Sequence, residues 1–216
     1  MSLLAMALAV LPMSQSAVAT AERAEQTRLT DCVELANRNP EEAYEESLRW
    51  LGEGGRPAAR YCNALAIIGM GNYKEGAARL EELANAPDAG SLEDRAVYLA
   101  QSGNAWLTAG YADAAITTLT NALKIAPEDP NIRTDRAAAY FGIDEWEKAI
   151  GDLDKSLALY PNQVDALQLR SRAWLQLDNL EKAEADMNHA LLIDGDNIDT
   201  LVLRGDIREA KRLAGE

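Results

Sequence analysis

The chain repeats itself every thirty-four residues, and that period constrains its fold more than any other feature. Trp106, Tyr140, Trp174 and Arg208 keep this spacing, and so do Leu99, Arg133, Leu167 and Leu201. Ala115, Ala149 and Ala183 form another column, as do Ala122, Ser156 and Ala190, then Pro127, Pro161 and Gly195. Several independent columns with one period describe a stack of similar units, none able to bury its apolar face alone. Within a unit the apolar spacing is helical. Tyr140 closes a first helix, Ile143-Asp144-Glu145 bends, and Ala149, Ile150, Leu153, Leu157 and Leu159 line a second helix at i, i+3, i+4 intervals. Pro161 ends that helix, because proline has no N–H to continue the ladder. A length of 216 residues suffices for one continuous core, and a single Phe leaves no aromatic-rich β-sandwich core to build. Ala, Leu and Glu in these proportions favour an all-α chain.

A helix–turn–helix of thirty-four residues, with small side chains where the helices cross and a proline at the end, resembles the tetratricopeptide-repeat family. Ala115, Ala149 and Ala183 match its close-contact position, Ala122, Ser156 and Ala190 the second, and Gly103, Ala137 and Ser171 the small position of the first helix. The resemblance implies a right-handed α-solenoid with units at residues 57–95, 96–129, 130–163 and 164–197 and a capping helix at 198–216. The unit at 57–95 departs by placing Gly76 at the contact position and by a longer connection, Asn85 to Leu92. Residues 20–56 read as a degenerate leading hairpin, with Asn39-Pro40 at its bend and Ala43 at the contact position.

One departure carries information. Where the family usually has a large apolar residue, seventh in the unit, this chain has Arg136 and Arg170, each followed sixteen residues later by an acid, Asp152 or Asp186. Ser102 and Asn63, in the same register, are followed by Thr118 and Arg79 instead. Two partly buried Arg–carboxylate pairs are therefore expected to hold their hairpins shut.

Residues 1–19 carry no charged side chain. Leu3 to Leu11 is an apolar run too short to span a bilayer, and Ala17-Val18-Ala19 is a small-x-small site. This reads as a secretory signal, cleaved after Ala19 or Ala21, although no Lys or Arg precedes the run. The mature chain is expected in the periplasm, with no membrane insertion. Cys32 and Cys62 make an even count without Cys-x-x-Cys spacing, which favours a structural disulfide over a redox pair. They fall on the first helices of neighbouring units, which pack about 8–10 Å apart, within reach of a bridge when the side chains face.

A net charge of −14 argues against nucleic acid and anionic membrane as partners, since both need a basic face. No catalytic, cofactor-binding or metal constellation is visible. The sole histidine, His189, sits on an outward-facing second helix; Gly69-Met70-Gly71 lacks the strand and spacing of a phosphate loop; Asp194, Asp196 and Asp199 lack the glycine and closing Glu of a calcium loop. What remains is a surface. The resemblance implies a concave groove lined by first-helix residues: Tyr61, Leu65 and Ile68; Asn104 and Leu107; Asn131, Thr134 and Phe141; Gln168 and Arg172. Apolar anchors would fill pockets of a partner, and amides would bond its backbone. The clamp that some relatives use for acidic C-termini needs Lys and Arg here, and only Arg172 is basic, so a terminal carboxylate is not the expected ligand. The function implied is a non-catalytic adaptor, monomeric or weakly self-associating, that holds a peptide or helix of a cell-envelope protein. The alternative is a structural subunit that assembles through its repeat ends or convex face.

Overall fold

The computed structural model describes residues 15–215. Most of the expected leader lies outside the described residues, and Gln15 to Ala19 form the first turns of a helix. The described residues contain eleven helices: α1 (Gln15–Arg38), α2 (Pro40–Gly52), α3 (Pro57–Gly69), α4 (Tyr73–Asn85), α5 (Leu92–Thr108), α6 (Ala112–Ile125), α7 (Pro130–Phe141), α8 (Trp146–Leu159), α9 (Val164–Gln176), α10 (Leu180–Ile193) and α11 (Ile198–Ala214). Each packs on the next, and the odd-numbered helices α5, α7, α9 and α11 also pack side by side in sequence. The result is a line of five hairpins closed by a single helix.

Local chemistry fixes the ends. Pro40, Pro57 and Pro130 open their helices, where a missing N–H is not needed. Asp129 accepts from the backbone N–H groups of Asn131 and Ile132, at 2.8 and 3.1 Å, and Asn197 caps α11 in the same manner. Ser91 and Asp94 form a reciprocal capping box. That box starts α5 at Leu92, so the expected unit boundary between residues 95 and 96 falls inside a helix. The unit begins where the cap is, four residues ahead of the repeat register.

Small residues set the distance between paired helices. Ala115, Ala149 and Ala183 are fully buried at the crossing points. A Cβ on Gly103 of α5 would stand 2.4 Å from Leu119 Cγ of α6, and one on Gly76 of α4 only 3.1 Å from the Ala64 carbonyl oxygen. Trp50, Leu80, Leu119, Leu153, Leu167, Leu203 and Ile207 fill the space between hairpins. In the leading hairpin, Arg28 of α1 bonds Glu46 of α2 at 2.8 Å and Glu53 beyond it at 2.6 Å.

Candidate partner-binding groove

The cysteines lie where α1 passes α3. Cys32 and Cys62 are joined, with Cα atoms 5.9 Å apart, inside a small core with Ala36, Ala43, Trp50, Ala59 and Ala66.

The two arginine–acid pairs are each bidentate. Arg136 Nε and Nη2 donate to the two oxygens of Asp152, both at 2.7 Å, and Arg170 grips Asp186 likewise at 2.8 and 2.7 Å. Hydrogen bonding to the acid raises the pKa of each guanidinium, while burial opposes the shift. The remaining amino group of each fork points the other way. Arg136 Nη1 donates to Thr120 of the preceding hairpin at 3.0 Å, and Arg170 Nη1 to Asp154 at 2.7 Å. Each arginine thus ties a hairpin to itself and to its predecessor. The pattern continues toward the N-terminus with other groups: Asn63 donates to Ser47 at 2.9 Å and accepts from Arg79 Nη1 at 2.9 Å. Across the longer α4–α5 connection, Glu81 takes its place by accepting from Trp106 Nε1 at 2.9 Å and from Thr118. A polar ladder therefore runs the length of the stack. Its backward rungs went unseen in the sequence, although Ser47, Thr120 and Asp154 each stand sixteen residues before their partners and a search in that direction would have found them.

The groove strip divides into two kinds of residue. Tyr61, Leu65, Ile68, Leu107, Phe141 and Arg172 are partly exposed on the first helices. Tyr61 packs on the Tyr98 ring at 4.9 Å, and Phe141 meets Trp146 edge-on at 4.5 Å. The amide-rich half differs from expectation. Gln168 is only 6 % exposed and donates to Asn197 and Thr200 at 2.7 and 2.6 Å, so it holds α9 to α11 and offers nothing to a partner. Thr134 lies against Ser156 and Gln163, and Asn131 accepts from Gln163 Nε2. Buried polar groups need partners, and the stack satisfies these internally before any guest arrives. Asn104 donates to Asp135 at 2.9 Å across α5 and α7. Burial pushes the Asp135 carboxyl up to about 6, against the pull of the Asn104 bond, with nearby Asp129 adding to the rise. The C-terminal half of the strip therefore presents acid as well as Arg172.

Among the hollows of the surface, one touches the strip at Asn131 and others lie away from it. One of about 740 Å3 opens between two hairpin turns and is lined by Asn72, Tyr73, Lys74, Trp106 and Tyr111. His189 is half-buried and bonds Asn162 at 3.2 Å. Among the described residues no group of three or more His, Cys, Asp or Glu is placed to hold a metal ion, and no helix is long and apolar enough to cross a membrane.

Helical hairpins stacked in line, small residues at each crossing and polar rungs between units define an α-solenoid of helix–turn–helix repeats. No protein-family model and no curated protein sequence matches the chain. Solved structures do. It is similar to the first TPR domain of human RPAP3, 29 % identical with a TM-score of 0.53 over 56 % of this chain and 93 % of that one. The first TPR of Spaghetti (RPAP3) bound to the HSP90 peptide SRMEEVD is 26 % identical, with a TM-score of 0.52 over 56 % and 94 % of the two chains. A nearly full-length likeness is TTC0263, a thermophilic TPR protein of Thermus thermophilus, at 23 % identity and a TM-score of 0.61 over 86 % and 98 %. The chain thus has the helical-repeat fold of these tetratricopeptide-repeat structures.

Proposed function

We propose that this protein is an exported adaptor that holds a segment of a cell-envelope protein against its first helices. The observation that carries the reading is the row of partly exposed apolar side chains in one register, Ile68, Leu107 and Phe141, with Tyr61 and Leu65 beside it on α3. Anchors at a fixed spacing on successive parallel helices suit one extended or helical ligand. A peptide-bound structure among its neighbours supports the same use of the fold. The ligand chemistry differs from SRMEEVD. With Asp135 on the strip and Arg172 as its one basic group, the groove favours an apolar or basic segment over an acidic end. Export rests on the uncharged, apolar residues 1–19 together with the joined cysteines.

Capture from an envelope extract tests the groove. Leu107→Asp or Phe141→Asp should lower capture about tenfold or more, because a charge placed in an apolar contact loses the burial and gains a desolvation cost. Circular dichroism must show intact helices in both. Full capture by the folded variants would rule the groove out. Mass spectrometry of the exported protein, unreduced and reduced, reads the leader and the disulfide directly.

A further inference from the structure

A hollow of about 620 Å3 opens where α1, α3 and α5 meet. Glu22, Glu25 and Leu29 line it from α1, Pro57 and Ala58 from the start of α3, and Asp94 and Tyr98 from α5. It flanks the groove strip at its N-terminal end, because the Tyr98 ring packs on that of Tyr61 at 4.9 Å. Tyr98 is only 7 % exposed, and its hydroxyl bonds no described residue. Buried polar groups ordinarily have partners. This hydroxyl is not sealed in, since the sealed and unpartnered side-chain nitrogens and oxygens among the described residues are Arg60 Nε and Arg133 Nε. It is therefore available to a group that enters the hollow. Burial, with the charge of nearby Asp94, pushes the phenol up to about 12, so it stays neutral at ordinary pH.

The charge around the hollow is one-sided. Its lining carries three carboxylates and no cation. Glu22 bonds nothing among the described residues, Glu25 keeps one oxygen free beside Arg56, and Asp94 keeps one free beyond its capping box. Nearby cations are committed elsewhere: Arg28 to Glu46 and Glu53, Arg60 to Asp88, and Arg95 to the Ala84 and Ala86 carbonyl oxygens. Arg23 stands about 100° round α1 from Glu22. With Arg56 and the partial positive charge at the start of α3 both counted, acid remains in excess. The acids are not grouped to hold a metal ion, so the cation they suit is a larger one.

We propose that this hollow receives a lysine side chain of the segment held on the strip, its ammonium among Glu22, Glu25 and Asp94. Its methylenes lie along Leu29, Pro57 and Ala58, as the stems of long charged side chains do. The source of the lysine rests on the groove reading; the chemistry of the hollow does not. The free oxygens decide for lysine over arginine. Glu25 and Asp94 each offer one, so neither supplies the paired acceptors that a guanidinium fork takes, whereas an ammonium is a point charge with rotatable donors. Tyr98 Oη accepts one of its N–H groups.

Amide chemical shifts of the full chain, titrated with N-acetyl-lysine methylamide, read the hollow without its partner. Leu29, Ala58, Ala89 and Gly90 should shift saturably, with a Kd of about 1 mM. N-acetyl-norleucine methylamide, the same stem without the ammonium, should bind at least about tenfold more weakly, and the arginine counterpart more weakly than lysine. Glu22→Gln with Glu25→Gln should weaken the lysine probe about tenfold and lower capture from the envelope extract. Tyr98→Phe should weaken the probe about threefold and keep the thermal midpoint, because that hydroxyl has no internal bond to lose. Phe141→Asp should leave the probe unaffected. Full capture by Phe141→Asp beside a saturating probe would sink the groove reading and leave the lysine site standing. The proposal itself is overturned by shifts spread evenly over the acidic surface or by norleucine or arginine probes that bind as tightly as lysine. Unchanged probe affinity in the double variant or in Tyr98→Phe, or full capture by the double variant, overturns it equally.

Discussion

Arg136 and Asp152 illustrate why a buried charge pair is easier to lose whole than by half. The side chains are 17 % and 5 % exposed, and every oxygen of the acid faces the guanidinium fork. Asp152→Ala leaves that cation desolvated and should cost about 3 kcal/mol in urea unfolding, whereas Arg136→Met with Asp152→Leu should cost less than about 1 kcal/mol. A double variant weaker than the single would mean that the pair itself supplies the stability. Asp135 gives the opposite case, an acid desolvated without a cation. Its folded pKa is raised to about 6, so the folded protein keeps a proton that the unfolded chain releases above the ordinary carboxylate range. Stability from this group is complete at low pH and is lost as pH rises through about 6. Asp135→Asn should therefore stabilise the protein by ~2 kcal/mol at about pH 7.5 and by almost nothing at about pH 3.5. Equal gains at both pH values would show that charge is not the cause.

At the scale of helices and turns, the thirty-four-residue period made the hairpins legible, because each column reports a contact made inside one unit. Contacts between units were harder to read. Gln168 falls on the groove register yet turns to α11, and Thr120 and Asp154 serve arginines of the next unit, because the rotation from one hairpin to the next decides what they meet. The start of α5 was hidden because its cap, not the repeat, sets it. The turns follow the period closely. Gly110 has φ of 82°, and thirty-four and sixty-eight residues later Asp144 and Asp178 hold φ of 62° and 55°. A left-handed Asp is tolerated at some cost, so Asp144→Gly should gain ~0.5 kcal/mol and Asp144→Ala should lose about 1 kcal/mol. At the N-terminal end, a loop of thirty residues between the cysteines should contribute about 3–4 kcal/mol. Replacing both with Ala should speed amide exchange in α1 to α3 and leave α7 to α10 protected; uniform exchange through the stack would show that the hairpins unfold together.

For the molecule as a whole, the balance of charge sets a sign that individual ion pairs do not. The arginines of the ladder are committed to internal acids and are screened little by salt, being mostly buried. What added salt acts on is the exposed remainder, which in a chain of net charge −14 repels itself. Some exposed pairs pull the other way: Arg79 with Glu75, Arg212 with Glu209 and Lys148 with Glu145 are all within one helix or its first turn, and such solvated pairs contribute little. Self-repulsion over the whole surface exceeds a few such terms. Raising sodium chloride from about 10 mM, where screening reaches about 30 Å, to about 150 mM, where it reaches about 8 Å, should therefore raise the thermal midpoint. A gain of about 1 kcal/mol corresponds to ~2–4 °C for a domain of this size. A midpoint that falls with salt would place the stabilising charges on the surface instead of in the ladder.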